Sequence, residues 1–294
     1  MATVGVLSAR ARVEEKAMMA ALAEAGIVSA LFPPADEPLP IGPLPVSAGG
    51  RPFPVPHIVI DRHPNRRIAR PVLATCRARG VPALCAGIAA TGDRLAVASA
   101  LEAAGLPRPL TALYTSEQAA LQAVEVIGFP CTLLPLDTQG AGIELIDIDV
   151  AEAVLEHRAV LGSSDGAIGL IQSGAPVSDT RIVVIVVDSS AVAAAPAVTV
   201  PDPVLRLAED AARALCAEFI GIEIATSSHG ALVWDAHPVP DFRQTMPVDS
   251  ISVPEAIVAA VERRLTLSRE PELEPSVLVE RLREGVLGGI AFSA

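Results

Sequence analysis

Residues 128–149 read GFPCTLLPLDTQGAGIELIDID, and the reading of the fold turns on them. Two short apolar runs, 131–134 and 143–148, are bounded by Pro130, Pro135 and other turn formers, the pattern of buried β-strands. Between them Asp137, Gly140 and Gly142 make a flexible turn. The unit is a strand, a glycine loop and a returning strand, and its first strand ends on the apolar side chain of Leu134.

At 294 residues the chain is long enough for two or three small domains with substantial cores. Half of it is hydrophobic, yet no apolar run reaches the roughly 18 residues of a membrane span. The first strand starts almost at Met1 with no basic leader, so a cytoplasmic protein is expected. Cys76, Cys85, Cys131 and Cys216 show neither CxxC nor metal-ligand spacing and read as buried, reduced thiols. Lys16 is the only lysine among 22 basic residues, and the formal net charge is −12. That balance, with no basic cluster, argues against nucleic acid, anionic membrane and strongly acidic proteins as partners.

Upstream of the glycine loop, residues 3–7, 27–32, 57–61 and 81–84 read as strands. Helical spacing at 13–25 and 65–80 separates them, the alternation of a parallel α/β layer. Residues 33–56, rich in Pro and Gly, read as a surface connection. Helices are expected at 91–105, with Thr91 as N-cap, and at 116–126, with an extended segment at 107–113. Downstream come a helix at 150–161, strands at 168–172 and 181–187, and a helix at 204–218. Strands at 219–225 and 231–235 and a helix at 253–265 complete the body. The run RIVVIVV at 181–187 is expected to be buried on both faces. Residues 188–203 are mostly Ala, Val and Pro and suggest no element. A further amphipathic helix is expected at 276–286, either as an association surface or folded back on its own domain.

Five motifs then fall in order: TGDR at 91–94, GLPRPLTAL at 105–113, GFPCTLLPL at 128–136, DTRIVVIVV at 179–187 and GIEIATSSHGALVWDAH at 221–237. Their order and spacing resemble the ATP-grasp ligases, and among these the RimK-like group, above all the LysX type that joins an amino acid to a carrier-protein carboxylate. The similarity runs from about Thr3 to about Leu265. It implies an α/β (α+β) architecture in which two subdomains clasp a cleft. The implied parts are an N-terminal pre-ATP-grasp domain (1–86), a lid subdomain (87–166), a C-terminal subdomain (167–266) and an extension (267–294). The implied chemistry is phosphorylation of a carboxylate by ATP with Mg²⁺ or Mn²⁺, followed by attack of an amine on the acylphosphate.

Such a site needs cations against the triphosphate, backbone donors in the lid and carboxylates that hold the metal. By the resemblance, Arg94 stands where the first phosphate-binding lysine is expected, and Leu134 where the second is expected. Gly140 and Gly142 belong to the lid, and Gln172 to the hinge before the nucleotide. Asp179 and Arg181 match the Asp-x-Arg motif, with Arg181 facing the γ-phosphate or acylphosphate. Glu223, Asp235 and His237 fall at the metal positions, with altered carboxylate lengths and an imidazole that suits magnesium poorly. The cation-bearing segment expected after Arg181 is replaced by AVAAAPAVTVPDP.

Ordinary roles compete at each position. Arg94 at a helix start can be a solvated charge. Arg181 beside Asp179 can be a strand-edge ion pair worth under about 1 kcal/mol. Glu223, Asp235 and His237 can be polar residues on a cleft floor. Two functions stay open: a working or impaired ATP-dependent carboxylate–amine ligase acting on an amino acid, and a non-catalytic relative. The latter would serve as a homo-oligomer, as the companion subunit of an ATP-grasp ligase, or as a small-ligand binder.

Overall fold

A computed structural model describes residues 3–33, 39, 55–138, 140–161, 168–174, 180–196, 199–227 and 230–267. The helix expected at 276–286, most of the 33–56 connection and Asp179 lie outside the described residues.

The chain opens with β1 (Thr3–Leu7), α1 (Val13–Glu24), β2 (Val28–Phe32), β3 (Ile58–Asp61), α2 (Arg66–Ala78) and β4 (Ala83–Leu84). The four strands form a parallel sheet in the order β2-β1-β3-β4. Asn65 starts α2 by accepting the backbone N–H of Arg67, and Ala69, Val72, Leu73 and Cys76 form its buried stripe. A short 3₁₀ turn (Gly87–Thr91) leads into α3 (Arg94–Ala103), capped by Asp93, whose carboxylate accepts from the N–H groups of Leu95 and Ala96.

Next come β5 (Thr111–Tyr114), α4 (Glu117–Ile127), β6 (Cys131–Leu134), β7 (Ile143–Leu145), α5 (Ile148–Leu161) and β8 (Gly169–Ser173). They make an antiparallel sheet, β5-β8-β6-β7, with α4 and α5 packed on one face over Cys131, Leu133, Leu145 and Ile171. The strand expected at 143–148 stops at Leu145, because the Asp147 carboxylate accepts the Val150 N–H and turns the chain into α5.

The last part holds β9 (Thr180–Val187), β10 (Ser190–Ala195), α6 (Asp202–Ala214), β11 (Phe219–Ser227), β12 (Gly230–His237), β13 (Met246–Pro247) and α7 (Val253–Leu267). The sheet runs β12-β11-β9-β10-β13. Its central strand β9 is buried on both faces. Ile182, Val184 and Val186 pack on α6, while Ile185 and Val187 share a core with α7, α1 and the strands β1 and β3. Each such side chain contributes roughly 1.5–3 kcal/mol by leaving water. β10 was not expected from the sequence: its alanines are weak strand formers, and the turn before it, Asp188–Ser189, has positive φ at both residues (50° and 70°) without a glycine.

A buried charge cluster locks the first sheet to this one. Arg62, 1% exposed, donates to Glu15 (3.0 Å) and to the Pro240 carbonyl (2.8 Å). Its guanidinium lies over the rings of Phe219 and Phe242, at 5.5 and 5.2 Å from their centroids. Burial pushes the Arg62 pKa down, and the Glu15 carboxylate opposes that shift. Among the described residues no helix is long and apolar enough to cross a membrane.

Candidate functional site

A cleft of about 140 Å³ opens between the free face of the lid sheet, the start of α3 and the outer strand β12 of the central sheet. Arg94, Leu134, Gln172, Trp234 and Asp235 are among its lining residues. The fold therefore brings together four of the positions singled out by sequence: Arg94, Leu134, Gln172 and Asp235. Gln172 sits near the end of β8, paired with Thr111 and Thr132, and is half-buried.

The Pro135–Gly140 loop is stitched to the start of α3. The guanidinium of Arg94 donates to the carbonyls of Pro135 (2.9 Å), Asp137 (2.6 Å) and Gly140 (3.1 Å). Its own N–H donates to the Leu136 carbonyl at 2.8 Å, and the Thr138 N–H to the Gly92 carbonyl at 3.0 Å. Asp137 adds an ion pair with Arg67 of α2 at 3.1 Å. Burial lowers the Arg94 pKa, while the Asp235 and Asp137 carboxylates oppose the shift.

The glycines here serve close approach. Gly92 has φ +75°, and a Cβ added there would lie 2.7 Å from the Arg66 Cβ. A Cβ at Gly140 would meet the Pro135 ring at 2.4 Å, and one at Gly142 the Leu134 side chain at 2.8 Å. The loop is thus folded tightly against β6, and the Leu134 side chain fills the strand end.

At the other wall, β11 and β12 pair in regular register from Gly221↔His237 to Glu223↔Asp235, and then Ile224 pairs with Val233. The extra residue, Trp234, forms a β-bulge. The Arg181 guanidinium lies over its ring, 3.6 Å from the centroid, and donates to Glu223 Oε1 at 2.9 Å. Glu223 Oε2 meets His237 Nε2, also at 2.9 Å. The hydrogen bond to His237 holds the Glu223 pKa below the usual carboxylate range, and the same bond raises that of His237. Asp235 is exposed and accepts the neighbouring Ala236 N–H at 2.7 Å.

The three metal candidates are therefore divided. Both oxygens of Glu223 are taken, by Arg181 and His237, and Asp235 lines the cleft beside them. Among the described residues no set of three His, Cys, Asp or Glu side chains is placed to hold a metal ion. This arrangement does not fit a magnesium ion, which needs open carboxylate oxygens. Each described arginine lining the cleft is engaged by the protein: Arg94 by carbonyls and Arg108 by Glu102, while Arg181, stacked on the lining Trp234, is held by Glu223. Trp234, Arg67 and Arg108 were not singled out from the sequence. Trp234 is the only tryptophan in a chain with 3% aromatics and stands next to Asp235, which was the available signal.

No family model matches the chain. Solved structures resemble it closely in fold. A RimK domain ATP-grasp protein from Sphaerobacter thermophilus superposes with TM-score 0.69 at 24% identity, covering 88% of this chain and 98% of its own. The ATP-grasp ligase PsnB, in complex with precursor peptide PsnA2 and AMPPNP, gives 0.63 at 16% identity over 89% and 96% of the two chains. The D-alanine–D-alanine ligase of Bacillus anthracis, complexed with ATP, gives 0.62 at 13% identity over 93% and 100%. The chain has the ATP-grasp fold.

Proposed function

We propose that this protein is a non-catalytic relative of ATP-dependent carboxylate–amine ligases. In this reading it keeps their scaffold and uses the cleft to bind a small ligand or to present a surface to a partner subunit. The observation that carries the reading is the state of the cations. Arg94 is bound to three loop carbonyls, Arg181 is neutralised by Glu223, and Leu134 offers no charge at all. Removing one group that stabilises developing charge in a transition state costs about 2.7–4 kcal/mol, or roughly a hundred- to a thousandfold in rate. Several such losses together take phosphoryl transfer below useful rates.

The cleft itself suits a small, weakly charged guest. At about 140 Å³ it is smaller than the roughly 300–1,000 Å³ of drug-sized sites. Trp234 lines it, and Gln172, Thr111 and Thr132 offer neutral hydrogen-bonding groups. The formal net charge of −12 further disfavours an acidic carrier protein as substrate.

The test is calorimetric titration with ATP in Mg²⁺, in Mn²⁺ and without metal, followed by a screen of amino acids for ADP release. No saturable heat and no ADP are expected. Micromolar, metal-dependent binding that disappears in Arg181→Ala would overturn the reading and restore the ligase.

A further inference from the structure

We propose that a second cavity, walled by α2, β4, the 3₁₀ turn and the junction between α6 and β11, is a binding site for a small ligand with an apolar body and one oxyanion group. This inference is independent of the function proposed for the main cleft. The cavity encloses about 540 Å³, within the range of small-molecule sites. Leu73, Val81, Pro82 and Ile88 make its apolar surface, and Cys85 and Cys216 add two thiols.

The rim carries the specificity. Arg70 and Arg77 are two helical turns apart on α2 and line the same cavity, with the small Ala74 between them. Both are exposed, and neither guanidinium has a hydrogen-bond or ion-pair partner among the described residues. Most arginines described on this acidic chain are paired, including Arg62, Arg66, Arg67, Arg94, Arg181 and Arg264. The acid that also lines the cavity, Glu218, is held by Arg264 at 2.9 Å and leaves the two rim cations uncompensated. Two open guanidinium forks over an apolar floor recognise a carboxylate or phosphate whose tail lies inward.

The floor is built to stay put. Gly87 has φ +55°, and a Cβ there would lie 2.1 Å from the Leu215 carbonyl, so the 3₁₀ turn sits directly on the end of α6. The Ile88 N–H donates to that carbonyl at 2.8 Å. The same turn is a shared wall: Ala89 faces the main cleft while Ile88 and Ala90 face this cavity.

Cys216 supplies the readout, because it lines the cavity and is exposed, whereas Cys76, Cys85 and Cys131 are buried. The rate of Cys216 alkylation, followed by mass spectrometry, is measured against rising octanoate, with octanamide as the neutral analogue. Saturable protection by octanoate, at least about tenfold weaker for octanamide, is expected from the strength of charge-assisted bonds. The Arg70→Ala/Arg77→Ala variant, two exposed helix positions that accept alanine, loses the protection, and Ala74→Trp, which fills the mouth, abolishes it. Equal labelling with and without octanoate, or equal protection in the wild type and the double variant, would overturn the assignment. Neither result depends on whether ATP binds in the main cleft.

Discussion

Arg181 and Glu223 meet at 2.9 Å across the neighbouring antiparallel strands β9 and β11, with Trp234 stacked beneath the guanidinium and His237 closing the other carboxylate oxygen. A cation whose sequence motif pointed to phosphate is thereby balanced from within the protein. Glu223→Gln leaves Arg181 without its counter-charge. Binding of pyrophosphate, measured by calorimetry, is expected to rise by about tenfold over wild type, the scale of one charge-assisted bond. Unchanged affinity would mean that Arg181 is inaccessible to anions for another reason.

Restoring charge at the strand end is the complementary experiment. Leu134→Lys combined with Glu223→Gln adds a cation to the cleft wall and frees Arg181 of its counter-charge. Nucleotide affinity is expected to exceed that of either single variant, because both charges act on one anion. If the double variant binds ATP no better than Glu223→Gln alone, Leu134 does not mark the lost phosphate contact.

The Glu223–His237 pair makes stability depend on pH in a defined window. The folded His237 pKa lies above its ordinary 6.5, so its contribution is complete below that value and is lost as pH rises through the raised one. The folded Glu223 pKa lies below its ordinary 4.5, so its contribution is complete above that value and is lost as pH falls through the depressed one. The stabilisation is fullest between these ordinary values. Melting temperatures of wild type and His237→Gln, compared across pH, should diverge most there and converge on either side.

The buried Arg62 is expected to matter far more to stability than the surface pairs. Removing it leaves the Pro240 carbonyl without its donor in the core and leaves Glu15 with Arg12 alone, a loss of up to about 3–5 kcal/mol when a buried pair is broken. Arg12, the half-exposed partner of the same carboxylate, should cost about 1 kcal/mol or less. Urea midpoints of Arg62→Ala and Arg12→Ala test the contrast.

The lid loop depends on the cap of α3. Asp93→Ala removes the acceptor for the Leu95 and Ala96 N–H groups, a loss of about 0.5–2 kcal/mol. Because the backbone at Asp93 also forms a β-bridge with that at Asp137, a loosened helix start should loosen the bridge too, and hydrogen exchange at Leu136–Thr138 should quicken in the same variant. A stability loss with an unchanged loop would separate the two.

Much of the architecture was open to inspection in the sequence, because periodicity and burial are local in origin. The alternation of apolar runs and helical spacing over residues 3–84 marked a parallel sheet, and RIVVIVV marked a strand with two buried faces. β10 stayed hidden, since the turn at Asp188–Ser189 carries positive φ on residues that do not advertise it. Cys216 was expected to be buried with the other thiols. It is exposed because it follows the last turn of α6 at φ +52°, where the chain swings out to start β11.

By itself the sequence determined the order of elements and the chemical identity of each cleft residue, including the replacement of a cation by Leu134. Only the tertiary structure decided what those residues do with their charges. Arg94 and Arg181 have the same guanidinium on paper. One is spent on loop carbonyls some 41 to 46 residues away, the other on a carboxylate 42 residues away. Partners at such separations are set by how sheets pack and loops close, which no local pattern encodes.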